Sequence, residues 1–91
     1  MYLEIVSPEA SLVSGNVESV TVPGVEGEFQ MLHGHAAIVS LLGKGNVKFK
    51  GNAEIAESHQ ALFTQENGSW ILPINSGTLE MKDNRIIVLV D

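Results

Sequence analysis

Three histidines, a pair of glutamates and a glycine-flanked turn are the residues whose type and spacing could support chemistry. His33 and His35 stand two apart, so on a strand both rings would share one face, and with His59 they offer imidazole ligands to zinc or copper. No Asp, Glu or Cys follows closely after His35 to complete a shell, so polar loop residues are the better reading. Glu26 and Glu28 would act as acid and base only if their surroundings pushed their proton affinities apart. An acidic turn beside Gly24 and Gly27 offers no apolar pocket for that, so solvated charges or a protein contact are expected. Pro23-Gly24-Val25-Glu26-Gly27 is glycine-rich but has no lysine and no following helix, so it is a turn and no phosphate cradle. No Gly-x-Ser-x-Gly elbow presents a nucleophile. No cofactor is expected.

The elements that must position these residues follow a period of two. Val47 and Phe49 alternate with Lys48 and Lys50, Phe29 and Met31 with Glu28 and Gln30, and Leu79 and Met81 with Thr78 and Glu80. Such alternation describes strands with one buried face. Ile86 to Val90 is a continuous apolar run, the pattern of a strand covered on both faces. Turn residues punctuate these runs at Ser14-Gly15-Asn16, Pro23-Gly24, Gly43 to Asn46, Gly51-Asn52, Asn67-Gly68, Ser76-Gly77 and Asp83-Asn84. Asn67-Gly68 is the sharpest, since it readily adopts the positive φ angles of a tight hairpin. Ala36-Ala37-Ile38 could form one helical turn ahead of a strand. The expectation is one all-β domain over residues 1–91, a small antiparallel β-sandwich or flattened barrel of about nine to ten short strands.

Composition narrows the function. Eleven carboxylates stand against five basic residues, a formal net charge of -6. That surface repels phosphate backbones and anionic lipid heads, so neither nucleic acid nor direct lipid insertion is expected. No run approaches the roughly 20 apolar residues that span a bilayer, and the start, Met1-Tyr2-Leu3-Glu4, lacks the basic opening of a targeting peptide. There is no cysteine, so packing alone must hold the domain. Trp70, beside Ile71 and Leu72, is expected in the core with its ring nitrogen near the surface. Lys44, Lys48 and Lys50 form a modest basic island, read as solubilising or edge-protecting.

Residues Val17 to Gly45, VESVTVPGVEGEFQMLHGHAAIVSLLGKG, resemble the signature of the F-type ATP synthase epsilon family. There a strand, a Pro-Gly turn, a Gly-x-Phe or Gly-x-Leu strand and a His-Ala-Pro segment follow in order. Leu3 to Glu9 looks like the family's first strand, and Ile74 to Met81 with Asn84 to Asp91 like its last hairpin. Two departures stand out: Ala37 replaces the family's proline, and Lys50 to Ile71 reads as a slightly longer pair of hairpins. The sequence given ends at Asp91, where full-length relatives continue into a two-helix hairpin, so the inhibitory and ATP-binding roles of that hairpin are not expected.

The resemblance implies a non-catalytic central-stalk subunit with two partners, the gamma subunit and the c-subunit ring of the membrane sector. It implies a peripheral place on the cytoplasmic side of a bacterial inner membrane. Glu28 and the loop His33, Gly34, His35 and Ala36 fall on the ring-facing edge by the same resemblance. A strand carboxylate there can meet a basic partner loop. Two readings compete with it. A lipoyl- or biotinyl-type carrier domain would use Lys44 in Gly43-Lys44-Gly45, which lacks the usual acidic or Met flanks. A small cupin-like metalloprotein would use His33 and His35.

Overall fold

A computed structural model describes all of residues 1–91. The alternating runs become strands: β1 Tyr2–Val6, β2 Ser11–Gly24, β3 Gly27–Leu32, β4 Ile38–Leu42, β5 Gly45–Gly51, β6 Glu54–Ile55, β7 Thr64–Glu66, β8 Ser69–Ile74, β9 Gly77–Lys82 and β10 Arg85–Val90. A 3-10 helix, Glu57–Leu62, interrupts them between β6 and β7. The ten strands form one hydrogen-bonded path, β1-β10-β9-β4-β2-β5-β8-β7, with β3 and β6 added on β2. This is the all-β sandwich expected, with one parallel pair, β1 and β10, among antiparallel neighbours.

The long strand β2 makes the two layers. Its first half pairs with β1, and its second half with β3 and β5. One layer is therefore β1, β10, β9 and β4, and the other is β3, β5, β8 and β7, with β2 passing through both. The β2 pairing with β5 slips between Val17 and Ser19, the bulge at which the strand changes layer. Between the layers lies a core of 19 buried residues, all apolar, centred on Phe49, Leu3, Ile5, Met31, Leu79, Met81 and Ile86. Phe49 meets Phe63 edge to face, with ring centroids 6.2 Å apart.

Gly51 sits opposite Val17 at that bulge. Its φ is +144°, and a Cβ there would lie 2.5 Å from the Val17 Cα. Gly51→Ala is therefore expected to cost about 2–3 kcal/mol, from left-handed strain and backbone overlap together. Chemical denaturation checks it; a midpoint equal to the wild type would refute the close approach.

Several local expectations are corrected. Ser14-Gly15-Asn16 is no turn: the three pair straight through with Glu4, Leu3 and Tyr2, so the chain bends while staying in the ladder. Pro23-Gly24 ends β2, and the reversal itself falls on Val25 and Glu26. Ala36-Ala37-Ile38 forms no helical turn; the turn is at His33-Gly34, where Gly34 takes φ +79°. Lys50 to Ile71 holds one hairpin, β7–β8, together with the 3-10 helix. Phe63 N–H donates to the Gln60 carbonyl and His59 N–H to Ala56, the three-residue closures that a polar stretch without alternation allows. Ile86 to Val90 is covered on one face only: Ile86, Val88 and Val90 are buried, whereas Ile87 and Leu89 point out. Asn67-Gly68 and Asp83-Asn84 are tight reversals as expected, all four residues having positive φ.

Candidate functional site

The outward face of the β1-β10-β9-β4 layer exposes apolar side chains from β10 and β4 on either side of the polar residues of β9. Strand register places Val6, Leu89, Thr78 and Leu41 in one cross-strand row, and Glu4, Ile87, Glu80 and Val39 in the next. Val39 is 76% exposed, Leu41 62%, Leu89 51% and Ile87 36%, and Val25 beside Leu41 is 61% exposed. Val25 N–H donates to the Leu41 carbonyl, so the β2–β3 turn belongs to the same surface. Each of these side chains would yield about 1.5–3 kcal/mol if fully buried. Thr78 and Glu80 of β9 lie between the two apolar pairs, so the face mixes exposed apolar side chains with a charge, as protein-docking surfaces do. Arg85 and Lys82 form the next row, with the Arg85 guanidinium 4.9 Å from the Tyr2 ring centre.

The residues singled out at the ring-facing edge lie along β3 and the loop after it. Glu28 is exposed near the start of β3, opposite Pro23. His33 and Gly34 form the turn at the other end, so the strand separates Glu28 from the histidines. β3 pairs only with β2 and so presents a free edge. The structure thus places Glu28 on β3 and the other four residues in the loop beyond its far end.

His33 and His35 do not point together at a common centre. Asn84, from the β9–β10 turn, accepts a hydrogen bond from Gly34 N–H through Oδ1 at 3.1 Å and reaches His33 Nδ1 through Nδ2, also at 3.1 Å. The His35 Nδ1 donates to the Ala36 carbonyl at 2.7 Å. His59 lies in the 3-10 helix, bonded to the Ser58 hydroxyl at 2.9 Å. No three His, Cys, Asp or Glu side chains are placed to hold a metal. Lys44 is in the β4–β5 turn, and Lys48 and Lys50 are on β5, which is flanked by β2 and β8 and so is no edge. Trp70 packs half-buried against the core.

Sequence reasoning missed the apolar face and the Asn84 contact. The first had a visible signal, the unbroken run Ile86 to Val90, whose second apolar set had to face something. The second had none, because Asn84 and His33 meet across a separation of 51 residues.

Comparison with known proteins follows from this geometry. A sequence profile of the ATP synthase Delta/Epsilon chain β-sandwich domain matches residues 1–91. The ATP synthase epsilon chain of Campylobacter fetus is 37% identical over 91 residues, all of this chain and 60% of the relative. That of Helicobacter pylori strain P12 is 34% identical over 89 residues, 98% of this chain and 61% of the relative. That of Wolinella succinogenes is 54% identical over 48 residues, 53% of this chain and 37% of the relative. The chain thus spans less than two thirds of the length of these relatives. In a cryo-EM structure of the Tetrahymena thermophila mitochondrial ATP synthase central stalk and c-ring, one chain has the same fold, with a TM-score of 0.71 at 14% identity, over 98% of this chain and 61% of that one.

Proposed function

We propose, because this chain belongs to the ATP synthase Delta/Epsilon β-sandwich family, that it is a non-catalytic central-stalk subunit of a rotary F-type ATP synthase. It couples the gamma subunit to the c-subunit ring and so supports proton-driven ATP synthesis. Its place is peripheral, on the cytoplasmic side of a bacterial inner membrane; no helix is long and apolar enough to cross a membrane.

The observation that carries this reading is the bare sheet face with Val39, Leu41, Ile87 and Leu89 outward. Torque transmission needs a contact surface on a rigid support, and a sheet backed by an all-apolar core supplies it. This face fits the gamma subunit. The β3 edge with Glu28 and the loop His33 to Ala36 fit the polar loops of the ring, where opposite charge fixes register more than it adds affinity.

The test is co-purification of the tagged chain from its own membranes. Gamma and c subunits should come with it, and their absence would sink the proposal. Glu28→Lys is expected to weaken association with the ring by about tenfold at low salt, less as salt screens the contact. Folding stability should stay within about 0.5 kcal/mol, since the side chain is exposed. Equal binding at every salt concentration would remove Glu28 from that interface.

A further inference from the structure

We propose that Asn84 is a positioning residue that holds the His33–Ala36 loop through a clamp which only neutral His33 can close. Uptake of a proton by His33 then frees the loop from the β9–β10 hairpin and weakens docking at that edge. The docking half rests on the reading of this loop as partner-facing; the clamp itself does not.

The hydrogen-bond chemistry determines the state of each group. Gly34 N–H can only donate, so the Asn84 oxygen must be the atom it meets at 3.1 Å. The amide orientation is thereby set, and Nδ2, a donor, is the atom 3.1 Å from His33 Nδ1. That ring nitrogen must accept, which leaves the imidazole neutral with its proton on Nε2. A protonated ring carries N–H on both nitrogens and would face the amide donor with a donor. Rotating the amide to suit the ring would turn Nδ2 toward Gly34 N–H, so one of the two bonds is lost either way. The clamp is closed while the ring is neutral and opens when the ring takes up a proton.

The fold holds Asn84 for this role. Asp83 and Asn84 have φ of 52° and 61°, a two-residue reversal that sets where the Asn84 side chain leaves the backbone. The titratable and charged groups on the elements meeting there are His35 in the same loop, Glu18 on β2, Glu28 on β3, Glu80 on β9, and Lys82, Asp83 and Arg85 in the hairpin, with the Met1 ammonium, Tyr2 and Glu4 of the N-terminal segment, whose Tyr2 N–H donates to the Asn84 carbonyl. Arg85 is engaged over Tyr2. His35 donates from Nδ1 to a carbonyl, a bond that survives protonation, so His35 does not produce the response.

The 91-residue chain is examined by NMR between about pH 8 and pH 5, the span in which imidazoles change charge. His33 should carry its proton on Nε2 at the upper end. The Gly34 amide and Asn84 side-chain resonances should move with the His33 titration, and His33→Leu should abolish that movement. Asn84→Gly, which tolerates the turn's positive φ, should speed Gly34 amide exchange several-fold. Asn84→Asp offers two acceptors, so His33 should switch to the Nδ1–H form. An Nδ1–H ring in the wild type, or Gly34 exchange unchanged by Asn84→Gly, overturns the clamp. Binding of the chain to the purified c-subunit ring should weaken a few-fold on acidification for the wild type and not for Asn84→Asp. A responsive clamp with pH-independent binding would instead overturn the partner-facing reading of the loop.

Discussion

Leu41→Asp is expected to lower the affinity of the chain for the gamma subunit by a hundredfold or more, about 2.8 kcal/mol, while leaving the fold intact. Leu41 ends the cross-strand row Val6, Leu89, Thr78 and Leu41, beside Val25 of the β2–β3 turn and with Val39 one register step away. Burying leucine in a partner contributes about 1.5–3 kcal/mol, and an aspartate in its place must also lose its hydration without a partner charge. In the free chain the same position is mostly solvent-exposed, so the thermal midpoint should barely move. Isothermal titration against purified gamma subunit separates the two effects. Affinity within threefold of the wild type would place gamma elsewhere on the sandwich. A large fall in stability would instead mean that the outer face supports the fold.

Phe49→Ala should do the reverse, destroying stability without touching a docking surface. Phe49 is 1% exposed on β5, with its ring against Phe63, and it joins the two layers at the middle strand. Removing a buried phenylalanine costs about 3–5 kcal/mol, through lost transfer energy and the cavity left behind. At roughly 0.05–0.15 kcal/mol per residue, a chain of 91 residues holds only about 5–14 kcal/mol in total. From about a fifth of the margin to all of it would go. The expected fall in Tm is more than about 10 °C, read by far-ultraviolet circular dichroism. A fall of a few degrees would show that the neighbours collapse into the space.

The class of fold was legible because alternation is a local property. Val47 and Phe49, Phe29 and Met31, and Leu79 and Met81 lie in strands, and all but the half-buried Phe29 are fully within the core. Turns read from dipeptides held where both residues need positive φ, at Asn67-Gly68 and Asp83-Asn84. They failed at Ser14-Gly15-Asn16, because glycine serves a bend within a ladder as readily as a reversal. The 3-10 helix at Glu57–Leu62 escaped because six residues without strong periodicity carry no signal.

The candidate surfaces divide in the same way. Glu28 and His33 to Ala36 were singled out only by resemblance to a family pattern, and the structure places Glu28 on β3 and the other four in the loop that follows it. The outer face that sets Ile87 and Leu89 of β10 and Val39 and Leu41 of β4 on either side of β9 could not be assembled from sequence, since it joins residues from strands far apart in the chain. What the order of residues determined by itself is the all-β class, the inward side of β3, β5 and β9, and the family to which the pattern conforms. Which apolar side stays in water, and that Asn84 reaches the His33 turn, were decided by tertiary pairing alone. Registers between distant strands depend on the whole core closing at once, and no local stretch of sequence contains that information.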